Sequence, residues 1–62
     1  MLNENDQENL TKAAQTAELL GQDLRELVKS ENPLLADIAL ELLESSAAIE
    51  HRIKRIRSYA VA

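Results

Sequence analysis

Apolar residues recur along the first half of the chain at alternating steps of three and four: Leu10, Ala13, Ala17, Leu20, Leu24 and Leu27. That spacing lines one face of an α-helix. Ala14, Gly21 and Val28 widen the stripe on one side, and the positions between are mostly good helix formers such as Glu, Gln, Lys, Ala and Leu. The pattern predicts a first helix over about residues 6–30. Asn5, three residues before Glu8, fits a capping box, with Asp6 as the competing cap. Glu4, Asp6 and Glu8 suit the positive end of the helix dipole. Gly21 costs a helix interior roughly 1 kcal/mol relative to Ala. Its presence predicts that a neighbouring backbone comes close.

The second half repeats the theme with Leu35, Ile38, Leu42, Ile49, Ile53, Ile56 and Ala60, and Ala39 and Ser46 fall on the same stripe. It predicts a second helix over about residues 33–58. The repeat lengthens at Ser45, Ser46, Ala47 and Ala48, where a local straightening or a change of packing is expected. Serine hydroxyls inside a helix also bond back to their own backbone.

Asn32-Pro33 separates the halves. Asn32 is a good N-cap, and proline at the next position loses only an N–H that has no helical partner. The residue before proline is also steered away from helix. Two segments of about 25 residues, each roughly 37 Å long at ~1.5 Å per residue, are joined by only a few residues. The expected fold is all-α: a single domain over residues 1–62, a two-helix antiparallel hairpin with its turn near Glu31–Pro33. The competing arrangement is one long helix kinked at Pro33.

A lone hairpin has one layer and cannot enclose a core, and a chain this short buries only about 60% of its unfolded surface. The seam residues Leu20, Leu24, Leu27, Leu42, Ile49 and Ile53 are expected to hold the hairpin together. Leucines are left over. Leu40 and Leu43, with Ala36 and Ala47, form a second stripe on the flank away from Leu34, and Leu19 lies off the seam of its own helix. Leu19, Leu34, Leu40 and Leu43 are therefore the candidate partner or oligomer interface. The expected partner is a second copy, two hairpins forming a four-helix bundle, or else a cognate protein.

Composition narrows the chemistry. The chain has no cysteine, no Phe or Trp, and one histidine, His51, flanked by Glu50 and Arg52 on the side of helix two away from the seam. Asp37, Glu41 and Glu44 have no histidine at ligand spacing and read as a solvated face. No glycine-rich loop, serine motif or thiol nucleophile is present. No catalytic residue, metal site, cofactor or small-molecule substrate is expected, and the chain does not read as an enzyme. No run approaches the ~20 apolar residues of a membrane span. The acidic start lacks the basic flank of a secretory signal, so no membrane contact and a cytoplasmic location are expected.

The net charge of -4 is unevenly spread. Residues 1–50 hold all eleven acidic groups and only Lys12, Arg25 and Lys29 as bases. Residues 51–62 hold Arg52, Lys54, Arg55, Arg57 and His51 with no acid. Cations suit a helix C-terminus, and an antiparallel hairpin sets this end beside Glu4, Asp6 and Glu8, so mutual neutralisation is expected. The alternative use of Arg52, Lys54, Arg55 and Arg57 is contact with nucleic-acid phosphate or an acidic partner.

In length, seam and turn position the chain resembles the plasmid copy-number regulator Rop, a hairpin that dimerises into a bundle and binds paired RNA loops. Small hairpin chaperones of bacterial secretion systems share the outline. No motif within Leu10–Leu27 or Leu35–Ile56 carries individual residues across. The last residues, Ser58 to Ala62, resemble the end of a bacterial degradation tag. The sequence thus predicts a small non-enzymatic protein–protein interaction module, an adaptor, chaperone-like or regulatory subunit of bacterial, phage or plasmid origin. A nucleic-acid-binding regulator is the alternative.

Overall fold

Asn3, not Asn5, starts the first helix. Its Oδ1 accepts a hydrogen bond from the Asp6 N–H at 2.7 Å, and the Gln7 side-chain amide donates to the Leu2 carbonyl at 3.1 Å. Asparagine caps equally well at either position, and the earlier choice adds a residue pair to the helix and keeps Glu4 and Asp6 in its first turn. It also holds Leu2, half-buried, within reach of Leu10 and Ile56.

The computed structural model describes the backbone of residues 2–61 and the side chains of residues 2–59. Helix α1 spans Glu4–Val28 and helix α2 spans Pro33–Val61. They pack against each other as an antiparallel hairpin, and the Cα trace measures 46 × 14 × 11 Å. Ala60, assigned above to the seam, and the tag-like tail lie wholly or partly outside the described side chains.

The turn follows from its residues. Lys29 and Ser30 donate to the Glu26 and Leu27 carbonyls at 3.1 and 3.0 Å, tightening the last turn of α1. The Ser30 hydroxyl then accepts from the Asn32 N–H at 3.1 Å. Asn32 Oδ1 accepts from the N–H groups of Leu34 and Leu35 at 3.0 and 3.2 Å, and its carbonyl accepts from Ala36. The expected cap at Asn32 with proline at N1 is realised, and no described residue needs a positive φ to make the turn.

The seam differs from the expected one. The most buried residues are Ala14, Ala17, Gly21 and Leu24 on α1 and Ala39 and Ser46 on α2. Leu10 and Val28 extend the first row, and Ala36, Leu43, Glu50, Ile53 and Arg57 extend the second as half-buried positions. Both rows keep the three–four spacing, but each is rotated about one residue around its helix from the leucine-rich row. The reason is size: small side chains let the two backbones approach, whereas two facing leucine rows would hold them apart. Leu24 and Ile53 stay in the seam as expected. Leu20, Leu27, Leu42 and Ile49 do not, and all four are exposed on the hairpin.

Helix α2 passes through Ser45–Ala48 without a break. Ser46 is buried, and its hydroxyl donates to the Leu43 carbonyl at 3.0 Å, so the back-bonding expected of these serines holds at Ser46. Gly21 faces this serine. A Cβ at Gly21 would meet Ser46 Oγ at 4.0 Å, an ordinary contact, and no backbone closer. The expected backbone contact at Gly21 itself is therefore absent: what stands opposite is the Ser46 side chain. Gly21→Ala should stabilise the protein by up to about 1 kcal/mol. A thermal melt checks it: the midpoint should rise by a few degrees, and a fall would show that the seam has no room.

Candidate interaction surface

The hairpin has one apolar broad face. Leu20 and Leu27 on α1 and Leu35, Ile38, Leu42, Ile49 and Ile56 on α2 are each between 40% and 53% exposed. On α2 these residues recur at steps of three, four and seven, the spacing of one side of a helix. A groove of about 190 Å³ runs between Leu20 and Leu24 on one side and Leu42, Ser45, Ser46 and Ile49 on the other. Ile56, one heptad beyond Ile49, carries the face into a second hollow of about 460 Å³ with Leu2, Asp6, Asn9 and Leu10. Apolar surface thus runs most of the length of the hairpin.

The opposite edge is charged. Lys54 Nζ donates to Glu50 Oε2 at 2.8 Å, an i,i+4 pair with the acid on the N-terminal side. That hydrogen bond is the main reason the Glu50 carboxyl lies below its ordinary value; desolvation opposes it, and the charges of Lys54, His51 and Arg25 add to it. The Lys54 amine is raised chiefly by the same bond, with Glu18 of α1 contributing. The pair's contribution to stability is lost as pH falls through the lowered Glu50 value or rises through the raised Lys54 value. Lys54 is solvated and Glu50 only half-buried, so the contribution is small.

The candidate residues from the sequence are not gathered into one site. Leu19, Leu34 and Leu40 are 60%, 69% and 47% exposed, but helical geometry places them on three different sides of the hairpin. Leu43 is half-buried and belongs to the seam row. The basic end is also dispersed. Arg52 and Arg55 are exposed on the outer side of α2, Lys54 is paired with Glu50, and Arg57 is half-buried in line with Ala39. Among the described residues the ion pairs are Lys54–Glu50 within α2 and Lys29–Glu26 at the C-terminal end of α1. The expected neutralisation of the basic end by Glu4, Asp6 and Glu8 therefore forms no ion pair.

The residues missed as a surface were those assigned to the hairpin's interior. A signal for them existed in the sequence. Helix α2 carries two interleaved heptad rows, one of large residues (Leu35, Ile38, Leu42, Ile49, Ile56) and one with small residues at its centre (Ala36, Ala39, Ser46). Only one row can face α1.

Among the described residues no helix is long and apolar enough to cross a membrane, and no group of His, Cys, Asp or Glu side chains is placed to hold a metal. The chain matches no protein-family model, no curated protein and no solved structure.

Proposed function

We propose that this chain is a non-enzymatic helical interaction module that acts through the apolar broad face of its hairpin, completing a four-helix bundle with a second hairpin or a partner's helices. One observation supports this reading above the others: seven large aliphatic side chains stand half-exposed on one continuous face, while the largest side chain buried in the seam is Leu24. Soluble monomers rarely leave a contiguous apolar patch above a few hundred Å². The basic end of α2 supports nucleic-acid binding less well, because only Arg52 and Arg55 of its four cations share a side and it lacks an aromatic platform for bases.

A dilution series followed by circular dichroism tests the reading. If the module completes its fold with its own copies, the melting midpoint rises with concentration across about three decades, as mass action requires. If it needs a different protein, helicity is weak at every concentration. A cooperative melt at an unchanged midpoint, with full helicity at the highest dilution, would mean the hairpin is self-sufficient and the reading is wrong.

A further inference from the structure

We infer that the occupant of the apolar face is a second copy of this chain lying head to tail, with the two-fold axis passing beside Ser45–Ser46 and α2 against α2. This rests on the interaction-module reading and adds to it the partner and its orientation.

The first argument is symmetry. In a two-fold interface, if residue i meets j, then j meets i. An antiparallel helix pair therefore needs an apolar pattern that reads alike from its centre in both directions. Helix α2 has one. Leu42 and Ile49 lie three positions out from the Ser45–Ser46 pair, and Leu35 and Ile56 ten; Ile38, seven positions out, meets Ile53 where the partner's seam borders the face. Each large residue thus meets another large residue. The centre is the run Ser45–Ala48, whose small side chains suit the closest approach of the two helices.

Charge selects the direction. Asp37, Glu41 and Glu44 precede the central pair, and no base accompanies them on that half of α2. Arg52, Lys54, Arg55 and Arg57 follow it, and the one acid there, Glu50, is engaged by Lys54. Head-to-tail pairing brings the acidic half of each α2 over the basic half of the other, with Arg52 between the levels of Asp37 and Glu41. The other face-to-face dimer places both turns at one end and α2 over α1. It would gather Asp23, Glu26, Glu31, Asp37, Glu41 and Glu44 of both copies there, against only Arg25 and Lys29 from each. Like charges in apposition are costly.

The area is sufficient. Seven half-exposed Leu and Ile side chains offer on the order of 600 Å², close to the ~800 Å² per partner of a standard interface. The rim, Asn9, Thr16, Asp23, Glu41 and Arg52, is polar and exposed, as a dimer rim should be.

The absence of native cysteine makes a direct test possible. Single-cysteine variants Ser45→Cys, Glu41→Cys, Arg52→Cys and Asp23→Cys are treated with a short bismaleimide, and mass is measured in parallel by sedimentation. Head-to-tail pairing predicts that Ser45→Cys crosslinks to itself, and that Glu41→Cys and Arg52→Cys crosslink when mixed but not alone. Crosslinking of mixed Asp23→Cys and Ser45→Cys, with Ser45→Cys alone unreactive, would mean the turns lie at one end and overturn the orientation. A helical monomer that does not crosslink would remove the second copy as occupant. Dimer mass with no crosslink at Ser45→Cys would overturn the position of the axis while leaving the module reading intact.

Discussion

Replacing Leu42 and Ile49 together by Glu should convert the protein to a monomer and remove most of its helicity. Both side chains line the central groove and are exposed on the hairpin, so in a self-sufficient monomer the double change would replace solvated residues with good helix formers. Such surface substitutions usually alter stability by less than about 0.5 kcal/mol each. In the proposed bundle the same two positions occur twice around the central layers. Four carboxylates would enter an apolar interior with no cation in the groove lining. The lost burial alone amounts to roughly 3–6 kcal/mol per dimer, taking half of the ~1.5–3 kcal/mol per fully buried side chain. For a chain of 62 residues that exceeds the margin a single hairpin layer can supply. Light scattering and circular dichroism give the answer: dimer mass and full helicity in the double variant would show that the groove is not the interface. Leu40→Ala serves as the contrast, since Leu40 is exposed off this face and its loss should leave the mass unchanged.

The elements were legible because their signals are local. Asn32-Pro33 carries its own cap and its own stop, and the hydrogen bonds from Leu34 and Leu35 to Asn32 Oδ1 are what that pair of residues dictates. Both helices, their pairing and the turn follow from this and from the heptad spacing. The start of α1 was less determined, because Asn3, Asn5 and Asp6 are all competent caps and nothing local separates them. The facing of the helices is a different kind of question. A hydrophobic stripe states that a side will be covered, not by what. On α2 the stripe spans both heptad rows, and an isolated-helix reading assigns its largest residues to the nearest neighbour in the chain. Size reverses this: Ala39 and Ser46 admit a close neighbour, and Leu42 and Ile49 are left outward. Leu19, Leu34 and Leu40 are then left exposed on separate sides of the hairpin, and Leu43 falls in the rotated seam.

That rotation links fold and function. A hairpin that used its large residues on itself would have no broad apolar face. By closing on Ala14, Ala17, Gly21, Ala39 and Ser46, this chain spends little burial on its own contact and leaves its larger side chains facing outward. The charged edge formed by Glu18, Arg25, Glu50 and Lys54 suits the outside of a bundle. Folding and partner binding would then be one event, a property expected of subunits whose presence must be conditional on assembly.

Ala39→Leu probes the small-residue seam directly and should be the most damaging single change on α2. Ala39 is 1% exposed, the least accessible residue of the core, and the antiparallel register that sets Gly21 beside Ser46 places it level with Leu24 and Val28 of α1. A leucine there adds three carbons to a site closed to solvent. The side chain must leave its rotamer or push the helices apart, and overpacking of this kind costs typically 1–3 kcal/mol. In a larger protein that loss is tolerated. Here separating the helices also tilts Leu42 and Ile49 away from Leu20 and Leu24 and disturbs the groove they form. Stability and association should therefore fall together: a lower melting midpoint at every concentration, and a weaker dimer by sedimentation. The added apolar surface makes the outcome discriminating. If the hairpin closed instead on its leucine rows, position 39 would lie to one side of the contact and a larger side chain would be neutral or stabilising. A raised midpoint in Ala39→Leu would restore the leucine seam and return Leu42 and Ile49 to the interior of the hairpin.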